Sequence, residues 1–70
     1  MKITLYTINC PQCIVLEKKL KIDGIRFDVI EDEAVFNEKG ITLFPVLEVD
    51  DKMLSYSEAI QWLKEIKNGH

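Results

Sequence analysis

The stretch Ile3-Thr4-Leu5-Tyr6-Thr7-Ile8-Asn9-Cys10-Pro11-Gln12-Cys13 decides how this chain is read. Its first four residues alternate as a strand does. Thr7-Ile8-Asn9 reads as a loop. Pro11 then opens a helix, where its missing N–H costs nothing and its fixed φ already suits. Two cysteines therefore sit at a strand-to-helix junction, two residues apart. Cys10 falls at the N-cap, where the unsatisfied N–H groups of the first turn and the helix dipole favour negative charge. Such a position lowers a thiol from about 8.5 into a range of roughly 3.5–7.5. The spacing brings Cys13 within bridging reach. Cys10 is expected to be the exposed thiolate and Cys13 the inward, protonated thiol. The chemistry this predicts is dithiol–disulfide exchange. Cys10 attacks a disulfide, and Cys13 then resolves the mixed disulfide. Pro11 offers no N–H to a thiolate, and Gln12 brings no cation.

The rest of the chain is short elements separated by turn residues. The helix that Pro11 opens runs to about Ile22, with Cys13, Leu16 and Leu20 on its inward stripe. Asp23-Gly24 ends it, Gly24 taking the left-handed cap. Ile25, Phe27 and Val29 alternate with Arg26 and Asp28 as a half-buried strand. A short helix over residues 32–39 surrounds Ala34, Val35 and Phe36, and Gly40 stops it. Val46–Val49 and Lys52–Leu54 form a hairpin about Asp50-Asp51. Ser55 and Glu58 make a capping box. The last helix runs to about Lys67, with Ala59, Ile60, Leu63 and Ile66 inward. The order is β-α-β-α-β-β-α. Its opening β-α-β requires a parallel pair joined by a right-handed crossover. The later hairpin adds antiparallel strands. The expected fold class is α/β, a mixed four-stranded sheet flanked by helices, as one domain spanning 1–70.

Composition narrows the function. The chain has 70 residues, 47% hydrophobic and 30% charged, with a net charge of −3. That excludes a disordered or collagen-like chain. It also lacks the surplus of clustered bases that nucleic acid requires. Lys18, Lys19 and Lys21 are flanked by Glu17 and Asp23 and read as a solvated helix face. No apolar run approaches 18 residues, so no membrane partner is expected. The N-terminal residues lack a signal peptide's apolar region and cleavage site, so the expected location is the cytoplasm. A bridge between residues so close constrains the unfolded chain little. The two sulfurs therefore read as chemistry rather than as a staple. Other readings stay open. CxxC is half a zinc site, and His70 is the sole further ligand of that kind within one chain. Two chains could share zinc. The pair could instead be ordinary core cysteines, or a sensor whose bridge alters partner binding. Pro45 follows Phe44 at the start of an apolar strand and cannot donate to the ladder.

The motif from Tyr6-Thr7 to Cys10-Pro11-Gln12-Cys13, with Leu43-Phe44-Pro45-Val46 ahead of a hairpin and helix, resembles the glutaredoxin family. More narrowly, residues 1–7 and the short length resemble the redoxins that donate electrons to ribonucleotide reductase. The resemblance implies a thioredoxin-like fold and reduction of protein disulfides, ribonucleotide reductase among them. It implies Cys10 as attacking thiol, Cys13 as resolving thiol and Pro45 as a cis proline packed on the dithiol. The backbone of Phe44 would pair with an extended substrate segment. Pro11, Gln12, Tyr56 and Ser57 would complete the substrate surface, while Tyr6 reads as packing. No cofactor or metal would be bound; glutathione or a thioredoxin reductase would be the reductant, and the chain is expected to be a monomer. Three features depart from glutaredoxins. Leu43-Phe44 stands for their Thr-Val before proline. Leu54–Glu58 lacks their Gly-Gly. Thr7-Ile8-Asn9 lacks their lysine. The α-helix beginning at Ser55–Ser57 could still hold a carboxylate on its N–H groups, and Lys39 another.

Overall fold

The structure is a computed structural model that describes residues 2–68. Its elements are β1 (Ile3–Tyr6), α1 (Pro11–Ile22), β2 (Asp28–Ile30), α2 (Glu33–Lys39), β3 (Val46–Val49), β4 (Lys52–Leu54) and α3 (Tyr56–Asn68). The strands lie in the order β2-β1-β3-β4. β1 pairs parallel with β2, Leu5 opposite Val29, and antiparallel with β3, Leu5 opposite Leu47. β3 and β4 form the antiparallel hairpin. The expected mixed sheet is therefore present.

β1 is central and all four of its residues are buried. Ile3 and Leu5 join Leu47 and Val49 on one face, against Leu16 and Leu20 of α1 and Ala59 and Leu63 of α3. The other face carries Tyr6, whose ring meets Phe36 of α2 edge-on at 6.4 Å. Phe36 in turn meets Phe44 at 4.6 Å. α2 thus anchors the loop that leads to β3 through one buried ring.

The helix ends follow local chemistry. Asp32 caps α2 by accepting from the Ala34 N–H at 2.9 Å, and Gly40 ends it in the left-handed region at φ 70°. Ser55 and Glu58 form the reciprocal capping box, the Ser55 N–H donating to Glu58 Oε1 at 2.9 Å and the Glu58 N–H to Ser55 Oγ at 3.3 Å.

Some details differ from expectation. β2 begins at Asp28, not Ile25. The Ile25 N–H is spent on Leu20 O at the end of α1. β1 also begins only at Ile3, so Arg26 has no strand to pair with. Val29, expected inward, is 43% exposed because β2 is an edge strand that the helices do not cover. In α2 only Phe36 is buried, and Ala34 is exposed. α3 extends one residue beyond the expected end.

Candidate functional site

The site is built where β1 runs out. The Thr7 N–H still donates to Ile30 O of β2 at 3.1 Å, so the sheet holds the chain one residue past the strand. The chain then turns sharply. Asn9 takes a left-handed conformation, φ 59°, which asparagine tolerates better than most residues. Its N–H donates to the buried Thr7 Oγ1 at 3.0 Å. Its side-chain amide reaches Glu31 at 3.4 Å. This turn delivers Cys10 to the N-cap of α1 in extended conformation, with Pro11 as first helical residue.

Cys10 is half-buried and Cys13 is 1% exposed. Their sulfurs lie 2.6 Å apart, and both are free thiols. The Cys13 N–H donates to Cys10 Sγ at 3.2 Å. The distribution of charge differs from the expectation of a lone Cys10 thiolate. Burial and the hydrogen bond with Cys13 push the Cys10 thiol up. Burial opposes charge on Cys13 too, but hydrogen bonds from the Cys10 thiol, the Thr7 hydroxyl and the Ile8 N–H outweigh it and pull that thiol down. One proton thus serves two sulfurs, and the charge of the singly ionised pair is shared. Access then decides the roles, since only Cys10 can be reached from outside.

The Phe44–Pro45 peptide bond is cis, and Pro45 is buried. Phe44, Pro45, Gln12, Tyr56 and Ser57 line one open cleft of about 600 Å³ between the loop before β3 and the start of α3. Tyr56 also packs on the core, so its ring serves both surfaces. Pro11 is exposed but does not line that cleft. Lys39 does, with its ammonium 5.8 Å from the Tyr6 ring centroid. A second cleft lies on the other side of Phe44 and includes Thr7, Ile8 and Asn9. Cys10 therefore stands between the two, with Asn9 in one and Gln12 in the other. A larger cleft, about 830 Å³, lies between α1 and β2, away from the motif.

The expected carboxylate site at Ser55–Ser57 is altered. Glu58 already occupies that helix end, and the Ser55 N–H, then its hydroxyl, hold its carboxyl below the usual range. Two residues at the site escaped the sequence reading. Ile8 is 55% exposed and Leu43 is 81% exposed, each an apolar side chain in a loop beside the motif. Their signal was that they fit neither neighbouring element's periodicity. Among the described residues no three potential metal ligands gather. His70, the further zinc candidate, lies outside the described residues.

Two solved structures share this arrangement of elements. A thioredoxin-like protein crystallised as a point mutant superposes with a TM-score of 0.72 over 96% of this chain and 100% of its own, at 20% identity. The glutaredoxin-like protein NrdH-redoxin from Escherichia coli gives 0.70 over 94% of this chain and 95% of its own, at 23% identity. The fold is thioredoxin-like. No protein-family model and no curated protein sequence matches the chain. Among the described residues no helix is long and apolar enough to cross a membrane.

Proposed function

We propose that this thioredoxin-like chain is a dithiol–disulfide oxidoreductase that reduces protein disulfides. The observation that carries this is the reachable Cys10 sulfur at the start of α1 with the Cys13 sulfur 2.6 Å beneath it. In the first step the Cys10 thiolate attacks one sulfur of a substrate disulfide. A Cys10–substrate bond forms, the substrate S–S bond breaks, and the departing thiolate takes a proton. In the second step the Cys13 thiolate attacks Cys10 Sγ, forms the Cys10–Cys13 bridge and expels the second substrate thiolate. Two electrons have passed to the substrate, and the bridge awaits a reductant. The Thr7 hydroxyl and the Ile8 N–H, which still face Cys13 when Cys10 is in the mixed disulfide, favour the Cys13 thiolate for this second attack.

The recycling partner is a thioredoxin reductase rather than glutathione. Support comes from Leu54–Glu58, which lacks the Gly-Gly pair of glutaredoxins, and from Glu58, whose carboxylate already accepts the Ser55 N–H at this helix end. Ribonucleotide reductase is a protein substrate consistent with the redoxin resemblance, and the cytoplasm suits a reducing dithiol.

The test is NADPH consumption with an uncharged disulfide in two coupled systems, thioredoxin reductase alone or glutathione with its reductase. Turnover with thioredoxin reductase and its loss in Cys10→Ser is the expected result. Turnover with glutathione alone would overturn the assignment of reductant. Full activity in Cys10→Ser would overturn the dithiol reading itself.

A further inference from the structure

The surface beside the dithiol is apolar at its centre, acidic at one end and lined by one carboxylate and one lysine at the other. Ile8, Leu43 and Phe44 supply the centre. Glu31 and Glu33 line the cleft on one side of Phe44, with no lysine or arginine among its lining residues. Glu58 lines the cleft on the other side. None of the three meets a cationic side chain among the described residues. Lys39 is the one cation in either lining; it shares the cleft of Glu58 and partly offsets its charge, with its ammonium 5.8 Å from the Tyr6 ring centroid. Glu58 is held ionised by its own helix cap, so it is a permanent charge.

We propose that this groove selects disulfide-bearing protein segments with basic residues flanking the reacting cysteine, and that Glu31, Glu33 and Glu58 determine the selection. This rests on the dithiol reading above. An extended segment rises about 3.3 Å per residue. A segment laid across Phe44 with its sulfur at Cys10 places residues two or three positions away over the Glu31–Glu33 cleft on one side and over the cleft of Glu58 and Lys39 on the other. Lysine or arginine there meets carboxylates, and glutamate there meets like charge. Opposite unit charges about 7 Å apart in water change a rate or affinity about threefold.

The test uses three short peptides alike except for Lys, Ser or Glu two positions either side of a cysteine held as a mixed disulfide with 2-mercaptoethanol. The expected rates of Cys10 attack fall in the order Lys, Ser, Glu, each carboxylate met at that distance separating the Lys and Glu peptides about ninefold at low salt. The spread should shrink in 1 M salt, where screening acts over about 3 Å. Glu58→Gln retains the capping box and should narrow the Lys-to-Glu spread about ninefold, as should Glu33→Gln. Glu65→Gln removes the same charge elsewhere on α3 and should leave the spread alone. Equal rates for the three peptides, or the same narrowing in Glu65→Gln, would overturn the proposal. The same peptides with serine for cysteine are titrated by NMR at the Phe44 and Tyr56 amides. If every disulfide proved inert the dithiol reading would fail, while tighter binding of the Lys peptide would still uphold the selection and equal binding would end it.

Discussion

Replacing Cys13 with serine removes the sulfur that shares Cys10's proton. In the native pair the first proton is expected to leave below the ordinary thiol value of 9.0 and the second above it. Iodoacetamide alkylation of Cys10 should therefore accelerate in two separated steps of pH, and Cys13→Ser should show one. A single step in the native chain would mean the sulfurs titrate independently. The same variant should accumulate the Cys10–substrate mixed disulfide, detectable by mass. Tyr6 gives a second prediction. Its hydroxyl donates to Glu48 at 2.5 Å. Burial, then the Glu48 hydrogen bond and its charge, push the phenol up to about 12 from 10.0. A raised phenol stabilises the fold fully below about pH 10 and loses that contribution as pH rises towards 12. The stability difference between the native chain and Tyr6→Phe should fall by about 2 kcal/mol across that window. A flat difference in urea melts at successive pH values would remove the role assigned to Glu48.

The elements were legible wherever a local rule set them. Pro11 marked the start of α1, Gly24 and Gly40 marked helix ends, and Ser55 with Glu58 marked the start of α3. Each acts within four residues, so the sequence carries it. The start of β2 was not legible, because it depends on a hydrogen bond from Ile25 to Leu20 and on where β1 begins. Which residue of α2 would be buried was likewise not legible. A helix of seven residues has room for one buried ring, and periodicity cannot say which apolar residue takes it. Gly40 offers a test at this scale. A Cβ there meets nothing within 4 Å, so the cost of Gly40→Ala comes from φ 70° alone. Urea denaturation should show a loss of about 1 kcal/mol. No loss would mean that α2 ends equally well without the left-handed residue.

At the scale of the molecule, local pattern could say which strands exist but not their order. That the hairpin joins β1 on the side away from β2 was beyond periodicity, which carries no information about neighbours. The hint was that Thr4 and Tyr6 sit in a strand buried on both faces, which places β1 in the middle. In the same way Cys10 and Cys13 were legible from spacing, whereas the two clefts were not, because only the fold brings Glu31 beside Phe44 in one and Leu43 beside Glu58 in the other. Both sheet edges are three-residue strands, with Asp28 on one and Lys52 on the other, which discourages edge pairing. The expected solution state is a monomer. The Cα radius of gyration is 11.5 Å, close to the roughly 11 Å that a compact chain of this length takes. X-ray scattering should return a value near this once hydration is allowed for. A value rising with concentration would show association.

The turn between β3 and β4 lies at the opposite end of the sheet from Cys10, beside the start of β1. There the Lys2 N–H donates to Asp50 Oδ1 at 3.0 Å and the Asp50 N–H to Lys2 O at 2.8 Å. Asp51, the neighbouring turn residue, is exposed and takes no part in these bonds. A chain immobilised through a single linkage at Asp51 would present its sulfurs outward in every copy, so a film on an electrode would be oriented by the sheet itself.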